Sequence, residues 1–404
     1  MRKTIAKNAM SATYVICGAG ITGLAIAHEL LQRGIEDILV IEKEAYSGAH
    51  ASGRNSGVLH AGIYYAPDSL KAKFCVEGNR IMKAFCHAHD LTLLEAGKTI
   101  VMKTPEELDQ LMLLKKRADA SGASTQIIES KDLAELEPYA YTADKAIYSP
   151  ETANIDPKQI LQKLTEILLK SGKVSILYST SFLNNKDSHT ILTSQGSIAF
   201  KKFINAAGAF ADKVAHAFGL AKEYKILPFK GTYKKIKKER GFLVQGNIYP
   251  VPDLRNPFLG VHLTRNTDGN VYVGPTAIPA FGRENYAFFS NLGLESLSIL
   301  YRDAILLVLN DSFRYSAIRE LRKYSSQHFF EAAKILVPSL RLDDLEPAEK
   351  IGIRPQLVNW LQHKLVLDFV VLKDANSLHV LNAISPAFTT SMSFARYAVD
   401  SLEA

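Results

Sequence analysis

The chain has 404 residues, of which 47% are hydrophobic and 22% charged, and its net charge is +7. This length and composition predict a globular protein of two or three domains with a large core, and so moderate a charge does not indicate nucleic acid binding. The three cysteines, Cys17, Cys75 and Cys86, lack C-x-x-C spacing. That argues against a disulfide framework or a zinc site and favours a reducing, cytoplasmic compartment.

Several other classes of protein are disfavoured by what the sequence lacks. No apolar run approaches the about 20 residues that a membrane-spanning helix needs. The first dozen residues are polar and basic without an apolar segment, so we read them as a tail rather than a secretory signal. There is no H-E-x-x-H, P-loop or G-x-S-x-G motif, and no metal site is predicted.

The first predicted elements form a dinucleotide-binding βαβ unit. A short apolar strand, Tyr14–Cys17, is followed by a G-x-G-x-x-G turn at Gly18, Gly20 and Gly23 and then by a helix. A second apolar strand, Ile38–Ile41, ends in the acid Glu42. The glycines permit a tight turn, close approach to a pyrophosphate, and close packing of helix on strand. Glu42, 19 residues after Gly23, suits the hydroxyls of a ribose. The alternative is a glycine-rich turn that binds nothing.

A loop rich in glycine and small polar residues comes next, from Ser47 to Tyr65. Within it, Arg54, Asn55 and Ser56 place hydrogen-bond donors between glycines, which suits an anionic or polar ring system approached by backbone. The alternative is a solvated loop.

Helices and strands are then predicted in alternation. The helices cover residues 68–88, 104–121, 130–137, 157–172 and 209–218, and the strands cover 92–102, 174–178 and 199–204. Asn205–Gly208 is a tight strand-to-helix turn of small residues, and so a second place where backbone can approach a ligand.

Residues 225–240 are rich in lysine and are interpreted as a solvated edge strand, because charged edges protect sheets from pairing. A hairpin follows, with strands over 260–264 and 271–274 around the turn Asp268–Asn270. Helices are predicted between residues 294 and 336, strands over 365–371 and 378–381, and a last helix from Thr389.

This order of elements predicts an α/β fold with a discontinuous Rossmann-like nucleotide-binding domain. An α+β substrate domain with a mainly antiparallel sheet is inserted into it in two excursions. The nucleotide-binding domain is assigned residues 1–90, 150–225 and 345–404, and the substrate domain residues 91–149 and 226–344.

Motifs along nearly the whole chain closely resemble the L-2-hydroxyglutarate dehydrogenase/oxidase family, part of the D-amino-acid-oxidase-like group of FAD oxidoreductases. They are Ser52–Tyr65, Ser69–Lys73, Val76–Gly78, Asn205–Gly208, Pro228–Gly231, Pro257–His262, Gly274–Ala277, Gly352–Gln356, Asp368–Phe369 and Asn382–Ala387. The glycine turn is shared by many flavoproteins, whereas the Arg54 loop and the His262 strand are more specific. Residues 285–344 match the family poorly.

The resemblance implies that FAD is bound and that L-2-hydroxyglutarate, or a close 2-hydroxy acid, is oxidised by hydride transfer to flavin N5. It places the adenosine on the glycine turn and Glu42, and the flavin along the Arg54 loop. Phe182, Ala207 and Gly208 are expected near the adenine and pyrophosphate. Ser385 and Thr389 are expected at the start of the last helix, whose dipole would face the flavin pyrimidine. Oxygen or a quinone is the expected electron acceptor.

Three residues are candidates for the chemistry. His262 is the candidate base, since a histidine titrates near neutrality; its alternative is a core-facing histidine. His60 is the rival base, or the site of a covalent flavin link. Arg354 is the candidate carboxylate anchor, because a guanidinium pairs with a carboxylate bidentately. Arg283 and Lys230 are candidates for the second carboxylate, or else solvated surface charges.

Other functions remain open at this point. A related enzyme could oxidise an amino acid, sarcosine or glycerol 3-phosphate, and a non-catalytic flavoprotein would bind FAD without being reduced. The basic segment 225–240 also suggests peripheral contact with the inner face of an anionic membrane, because each basic residue near such a surface contributes ~1 kcal/mol.

Overall fold

The computed structural model describes residues 10–253, 260–287, 290, 293–322 and 325–404. The helices are α1 (Ile21–Gln32), α2 (Leu70–Ala88), α3 (Leu108–Ala120), α4 (Ser130–Leu136), α5 (Pro157–Lys170), α6 (Ala211–Ala217), α7 (Leu294–Leu309), α8 (Asp311–Arg322), α9 (Ser326–Lys334) and α10 (Ala387–Glu403). The strands are β1 (Met10–Cys17), β2 (Ile38–Ile41), β3 (Val58–Leu59), β4 (Leu93–Leu94), β5 (Lys98–Val101), β6 (Gln126–Glu129), β7 (Lys145–Ser149), β8 (Ala153–Ile155), β9 (Val174–Leu177), β10 (Phe182–Asp187), β11 (Thr190–Thr193), β12 (Gly196–Asn205), β13 (Tyr224–Ile236), β14 (Asn247–Pro250), β15 (His262–Arg265), β16 (Val271–Gly274), β17 (Ile278–Pro279), β18 (Leu345–Asn359), β19 (Lys364–Leu365), β20 (Val371–Lys373) and β21 (Ser377–Val380).

The first sheet has the order β10-β11-β12-β1-β2-β9, and β21 and β20 continue it from β12. The strands β12, β1, β2 and β9 are parallel, in a register that places Cys17 beside both Asn205 and Ile41. The chain therefore leaves β1, β2 and β12 at one edge of the sheet, where open α/β sheets bind ligands. Strand β1 begins at Met10, four residues before the predicted strand, and residues 1–9 of the predicted tail lie outside the described residues.

One face of this sheet is covered by helices α1, α2, α5 and α10. Their apolar side chains form a single buried cluster with the strands, including Leu24 of α1, Phe74 of α2, Leu164 of α5 and Phe394 of α10. The last helix begins 346 residues after the end of β2, yet it packs on the first βαβ unit. This packing brings the N-terminal end of α10 to the ligand-binding edge.

The second sheet has the order β19-β18-β13-β16-β15-β14-β5-β7-β6, with β17 also beside β13. Its ladders are antiparallel except for the parallel pair β5 and β14. The prediction that the basic segment is an edge strand is wrong, because β13 pairs with β18 on one side and with β16 and β17 on the other. Apolar residues such as Ile226, Leu227 and Phe229 are buried within it, so pairing on both sides outweighs the lysines.

The fold class is the predicted one, a Rossmann-like unit joined to a mainly antiparallel sheet. Strand β18, however, belongs to the second sheet, although the sequence analysis assigned residues 345–404 to the nucleotide-binding domain. The division into domains stays a prediction, and this ladder places the return to the first sheet after β18.

Candidate active site

A cavity of about 660 Å³ is lined by residues of both sheets, including the glycine turn, the Arg54 loop and β18. This volume is within the range of small-molecule and cofactor sites. All the site residues predicted from the sequence line it except Gly23, which lies in α1 behind the turn, and Lys230.

The glycine turn is shaped by contacts that a side chain would block. Gly18 has φ +111°, and a Cβ there would lie 2.5 Å from the carbonyl oxygen of Ala206. A Cβ on Gly23 would lie 1.9 Å from the carbonyl oxygen of Gly18. Gly20 precedes α1 without a side-chain cap of its own, and Ser52 Oγ accepts the Ile21 N–H at 2.9 Å. The turn therefore fits the close backbone approach that a dinucleotide pyrophosphate requires.

Glu42 is buried at the end of β2, where its carboxylate organises the turn. Oε2 accepts the Ala19 N–H at 2.8 Å, and Oε1 accepts the Glu44 N–H at 2.9 Å. Each carboxylate oxygen can accept a further hydrogen bond. Binding of a ribose by Glu42 therefore stays a prediction that this geometry permits.

The loop after β2 holds its donors in defined positions. Arg54 Nε donates to the Ala49 carbonyl at 2.9 Å, and its guanidinium lies 4.2 Å from the centre of the Tyr286 ring. Asn55 shapes the turn, since its amide donates to the Ser52 carbonyl at 2.6 Å and its Oδ1 accepts the Gly57 N–H at 2.9 Å. Ser56 lines the cavity beside them.

Arg283 and Lys230 are not solvated surface charges. Arg283 is 5% exposed and binds Asp212 through two nitrogens at 2.5 and 3.0 Å, and its Nε binds Glu295 at 2.9 Å. Lys230 is 8% exposed and donates to Asn285 Oδ1 at 2.9 Å. Arg283 lines the cavity but is committed to two carboxylates, so it is a poor candidate for binding a substrate carboxylate.

The residues after Arg283 contact the nucleotide-binding edge. Glu284 pairs with Lys43, and its Oε1 lies 3.1 Å from His50 Nε2. The Tyr286 hydroxyl lies 2.8 Å from His50 Nδ1. Glu44, His50 and Glu284 place three ligand atoms close together, but the Lys43 ammonium bonds to all three residues. The cluster is therefore an ion-pair network.

Two chain segments meet the cavity at its other sides. The N-terminus of α10 has no side-chain cap, and Ser385 to Thr389 line the cavity there; such a helix end favours negative charge. Thr389 Oγ1 accepts the His60 N–H at 3.1 Å. Phe182, Ala207 and Gly208 line the cavity beside the glycine turn. These positions agree with the expected layout, although contact with the cofactor stays a prediction.

Both candidate histidines line the cavity and are buried. The His262 ring stacks on Tyr249 with centroids 3.8 Å apart, and its Nδ1 lies 3.0 Å from the Gly260 carbonyl oxygen. His60 Nδ1 lies 3.5 Å from Lys98 Nζ. Burial, then the charges of Lys98 and His262, lower the pKa of His60 well below its ordinary value, so His60 is neutral at pH 7.

Arg354 lies on β18 opposite Phe229 of β13, and its side chain lines the cavity. Burial lowers the pKa of Arg354 to about 10, with Tyr65 opposing that shift. Arg354 therefore stays charged at neutral pH. A charged, poorly hydrated guanidinium is suited to binding an anion.

The sequence analysis missed two buried lysines beside these residues. Lys98 is 1% exposed, and burial lowers its pKa to about 7. Lys71 is 6% exposed, and burial, followed by the charge of Arg354, lowers its pKa to about 7. The burial of Lys98 could have been predicted, because its side chain lies on the same face of strand β5 as that of Ile100, which packs in a core cluster. The predicted motif residues Pro257–Leu259 lie outside the described residues.

Comparison with known proteins defines the class. The family model described as FAD dependent oxidoreductase matches residues 13–401. The chain is 23% identical to L-alpha-glycerophosphate oxidase from Mycoplasma pneumoniae, with a TM-score of 0.77 over 98% of this chain and 95% of that one. For glycine oxidase from Geobacillus kaustophilus the identity is 17% and the TM-score 0.73, over 98% and 95%. The chain is an FAD-dependent oxidoreductase, and its glycine turn and uncapped helix ends suit that cofactor.

Closer relatives specify the family. The chain is 36% identical over 384 residues to L-2-hydroxyglutarate dehydrogenase of Indibacter alkaliphilus, covering 94% of this chain and 96% of the relative. It is 37% identical over 399 residues to the mitochondrial L-2-hydroxyglutarate dehydrogenase of Caenorhabditis elegans, covering 95% and 91%. The chain belongs to the L-2-hydroxyglutarate dehydrogenase family. None of the helices in the described residues is both long and apolar enough to cross a membrane.

Proposed function

We propose that this enzyme oxidises L-2-hydroxyglutarate, or a close 2-hydroxy acid, to the 2-oxo acid. The observation that carries the proposal is that His262 and Arg354 line the same cavity as the glycine turn. A base and a carboxylate anchor thus share one site with the predicted cofactor residues. FAD, when bound, supplies the acceptor for the hydride that leaves C2 of the substrate.

His262 is proposed as the base that takes the hydroxyl proton. The Gly260 carbonyl can only accept a hydrogen bond, so the contact of 3.0 Å puts a proton on Nδ1 of His262. In the neutral ring Nε2 then carries the lone pair. Stacking on Tyr249 fixes the plane of the ring, and fixed orientation is what proton abstraction requires.

Arg354 is proposed as the anchor for the C1 carboxylate. Its charge is reinforced by Lys71, which lies close enough for Arg354 to lower the pKa of that lysine. Arg354 and the protonated fraction of Lys71 favour an acid of net negative charge over a zwitterion such as sarcosine. They do not by themselves discriminate against glycerol 3-phosphate, which is also an anion.

Anaerobic mixing with a substrate panel tests this function. L-2-hydroxyglutarate should bleach the flavin absorbance near 450 nm, whereas D-2-hydroxyglutarate, sarcosine and glycerol 3-phosphate should not. Faster bleaching by one of the latter two would assign the enzyme to a different substrate class. Bleaching by dithionite but by none of the four compounds would favour the non-catalytic alternative.

The electron acceptor is proposed to be a membrane quinone, with oxygen as the alternative, and the contact with the membrane to be peripheral. The supporting feature is an apolar stripe on the outer face of α7, formed by Leu294, Leu297, Tyr301 and Val308, which are 89, 67, 65 and 71% exposed. Exposed apolar patches of this kind mark interaction sites. A net charge of +7 favours an anionic bilayer as the partner.

The basic segment is a weaker basis for that contact than the sequence suggested. Lys235 pairs with Glu346 at 3.0 Å, Arg240 pairs with Asp344 at 3.3 Å, and Lys230 is buried. These charges are partly neutralised within the protein. We therefore place the proposed contact at the α7 stripe.

Co-sedimentation with vesicles tests the contact. The wild type should bind vesicles containing phosphatidylglycerol at low salt and bind less at high salt. The double variant Leu297→Glu/Val308→Glu should lose binding. The control Leu183→Glu, at a leucine of β10 that is 56% exposed, should keep it. Equal binding by the two variants would refute the membrane contact. It would also be refuted if the only effect of the double variant were to convert a dimer to a monomer in light scattering. Oxygen consumption as fast as quinone reduction would contradict the proposed acceptor.

A further inference from the structure

Between the two candidate histidines lies a buried lysine. Lys98, on β5, has its Nζ 4.3 Å from the centre of the Tyr249 ring and 5.2 Å from that of Tyr64. The same Nζ lies 3.5 Å from Nδ1 of His60, and the ring of Tyr249 also stacks on that of His262. His60, Lys98, Tyr249 and His262 thus form a contiguous row.

The backbone fixes this row. Strand β14 pairs with β5 on one side, where Asn247 lies opposite Lys98, and with β15 on the other, where Ile248 lies opposite Leu263. Tyr249 therefore projects from the strand between those that carry Lys98 and His262. His60 is held separately, by its N–H bond to Thr389 Oγ1 and by the bond of 3.2 Å from Asn79 Nδ2 to its carbonyl.

The polar contacts of the two rings are opposite in kind. A lysine ammonium has donors and no acceptor, so with Lys98 in that form the contact with His60 requires the lone pair of that ring on Nδ1 and the proton on Nε2. A backbone carbonyl has acceptors and no donor, so its contact with His262 requires the proton on Nδ1 and the lone pair on Nε2. In their neutral forms the two rings consequently hold opposite tautomers.

We propose that Lys98 is a positioning residue that assigns different roles to the two histidines, which makes His60 a hydrogen-bond donor to the substrate and leaves His262 as the base. This inference rests on the proposed 2-hydroxy acid oxidation. In that reaction the hydroxyl proton would pass to Nε2 of His262, and FAD, when bound, would supply the acceptor for the hydride from C2. The Nε2–H group of His60 donates to a substrate oxygen and keeps its proton throughout.

The groups around Lys98 are compatible with this assignment. Its neighbours are the His60 ring, the Tyr64 and Tyr249 rings and Cys75, and burial raises the pKa of Cys75 to about 12 and that of both tyrosines above their ordinary value. These three groups are therefore neutral at pH 7. An incoming carboxylate dianion adds negative charge, which favours the ammonium form of Lys98.

Nitrogen NMR of the FAD-loaded, substrate-free protein labelled with ¹⁵N-histidine tests the assignment directly. His60→Gln and His262→Gln spectra identify the two residues. The wild type should show His60 protonated at Nε2 and His262 protonated at Nδ1. The same tautomer in both rings, or the reverse pair, would overturn the proposal. This readout involves no turnover, so it is independent of whether L-2-hydroxyglutarate is the substrate.

Kinetics of two Lys98 variants separate positioning from a merely structural role. Lys98→Met should keep FAD but populate the Nδ1–H tautomer of His60, and the anaerobic reduction rate should fall by roughly 10- to 100-fold with a smaller change in KM. Lys98→Arg keeps donors and charge and should restore the wild-type tautomer and part of the rate. A folded Lys98→Met protein with an unchanged His60 tautomer and rate would refute the role of Lys98. If the wild type fails to react with L-2-hydroxyglutarate while the tautomers are as expected, the failure lies in the proposed function.

Discussion

Replacement of Arg354 by leucine should lower kcat/KM, and the burial of Arg354 in the site sets the expected size of the loss. Burial lowers the pKa of Arg354 from its ordinary value to about 10, which corresponds to roughly 3 kcal/mol against the charged form at 1.36 kcal/mol per pH unit. A cation desolvated to this extent gains strongly from a bound carboxylate. Loss of such a pair costs ~2–5 kcal/mol, so kcat/KM should fall by roughly 30- to 5,000-fold.

The assay is anaerobic stopped-flow reduction of the flavin across a range of L-2-hydroxyglutarate concentrations. Arg354→Leu should keep its FAD, because Arg354 is remote from the glycine turn in the chain and on a different sheet. Arg396→Leu is the matched control, since Arg396 is 51% exposed and pairs with Glu77 at 2.9 Å; it should behave as the wild type. Near-normal substrate affinity in Arg354→Leu would show that the anchor is another residue, and would remove the main support for an anionic 2-hydroxy acid.

Three further predictions follow from the site and the core. His262→Gln removes the base with little change in volume, so the reduction rate should fall by ~10²–10⁴; a near-normal rate would transfer the base role to His60. FAD should be noncovalent, so acid precipitation should release the yellow colour, whereas colour in the pellet would implicate His60 as the attachment site. Asp303 is 7% exposed, and neither of its carboxylate oxygens has a hydrogen-bond partner among the described residues. Burial raises its pKa from 3.8 to about 7. The folded state then holds a proton that the unfolded state releases, so the wild type should lose stability as pH rises from about 4 to 7, by roughly 4 kcal/mol. Asp303→Asn should therefore unfold at a higher temperature than the wild type at pH 8 and at a similar temperature at pH 4, and equal curves at pH 8 would contradict this.

The cofactor half of the fold was predictable from the sequence because its signals are local. Gly18, Gly20, Gly23 and Glu42 lie within one βαβ unit, and the steric need for each glycine follows from their spacing. The pairing of β13 was not predictable in this way, because a lysine-rich strand is read as an edge unless its partners are known. Those partners come from residues about 40 and 120 positions later in the chain.

The partners of the charged residues in the site were also not predictable from the sequence. Arg283 and Lys230 were read as solvated because sequence alone does not reveal that Asp212 and Asn285 come within bonding distance. Lys98 was overlooked because the strand that carries it is short and otherwise unremarkable. Only the assembled fold places Tyr249 and His60 around its side-chain nitrogen.

The ladder between β13 and β18 has a mechanical consequence for turnover. It runs from Tyr224 opposite Asn359 to Ile236 opposite Leu345, with a register irregularity between Thr232 and Lys234, and forms a ribbon of about 40 Å at ~3.3 Å per residue. The part that pairs with Arg354, from Tyr224 to Thr232, is regular. One end packs with α6 and β21 of the first sheet, and the other end packs in the core of the second. Arg354 lies within this ribbon, so the distance from the carboxylate anchor to the cofactor edge is set by a stiff hydrogen-bonded span and not by a hinge. We therefore expect substrate to bind in a single kinetic step. We also expect a 3-hydroxy acid, whose reacting carbon is one bond further from the carboxylate, to be a poor substrate.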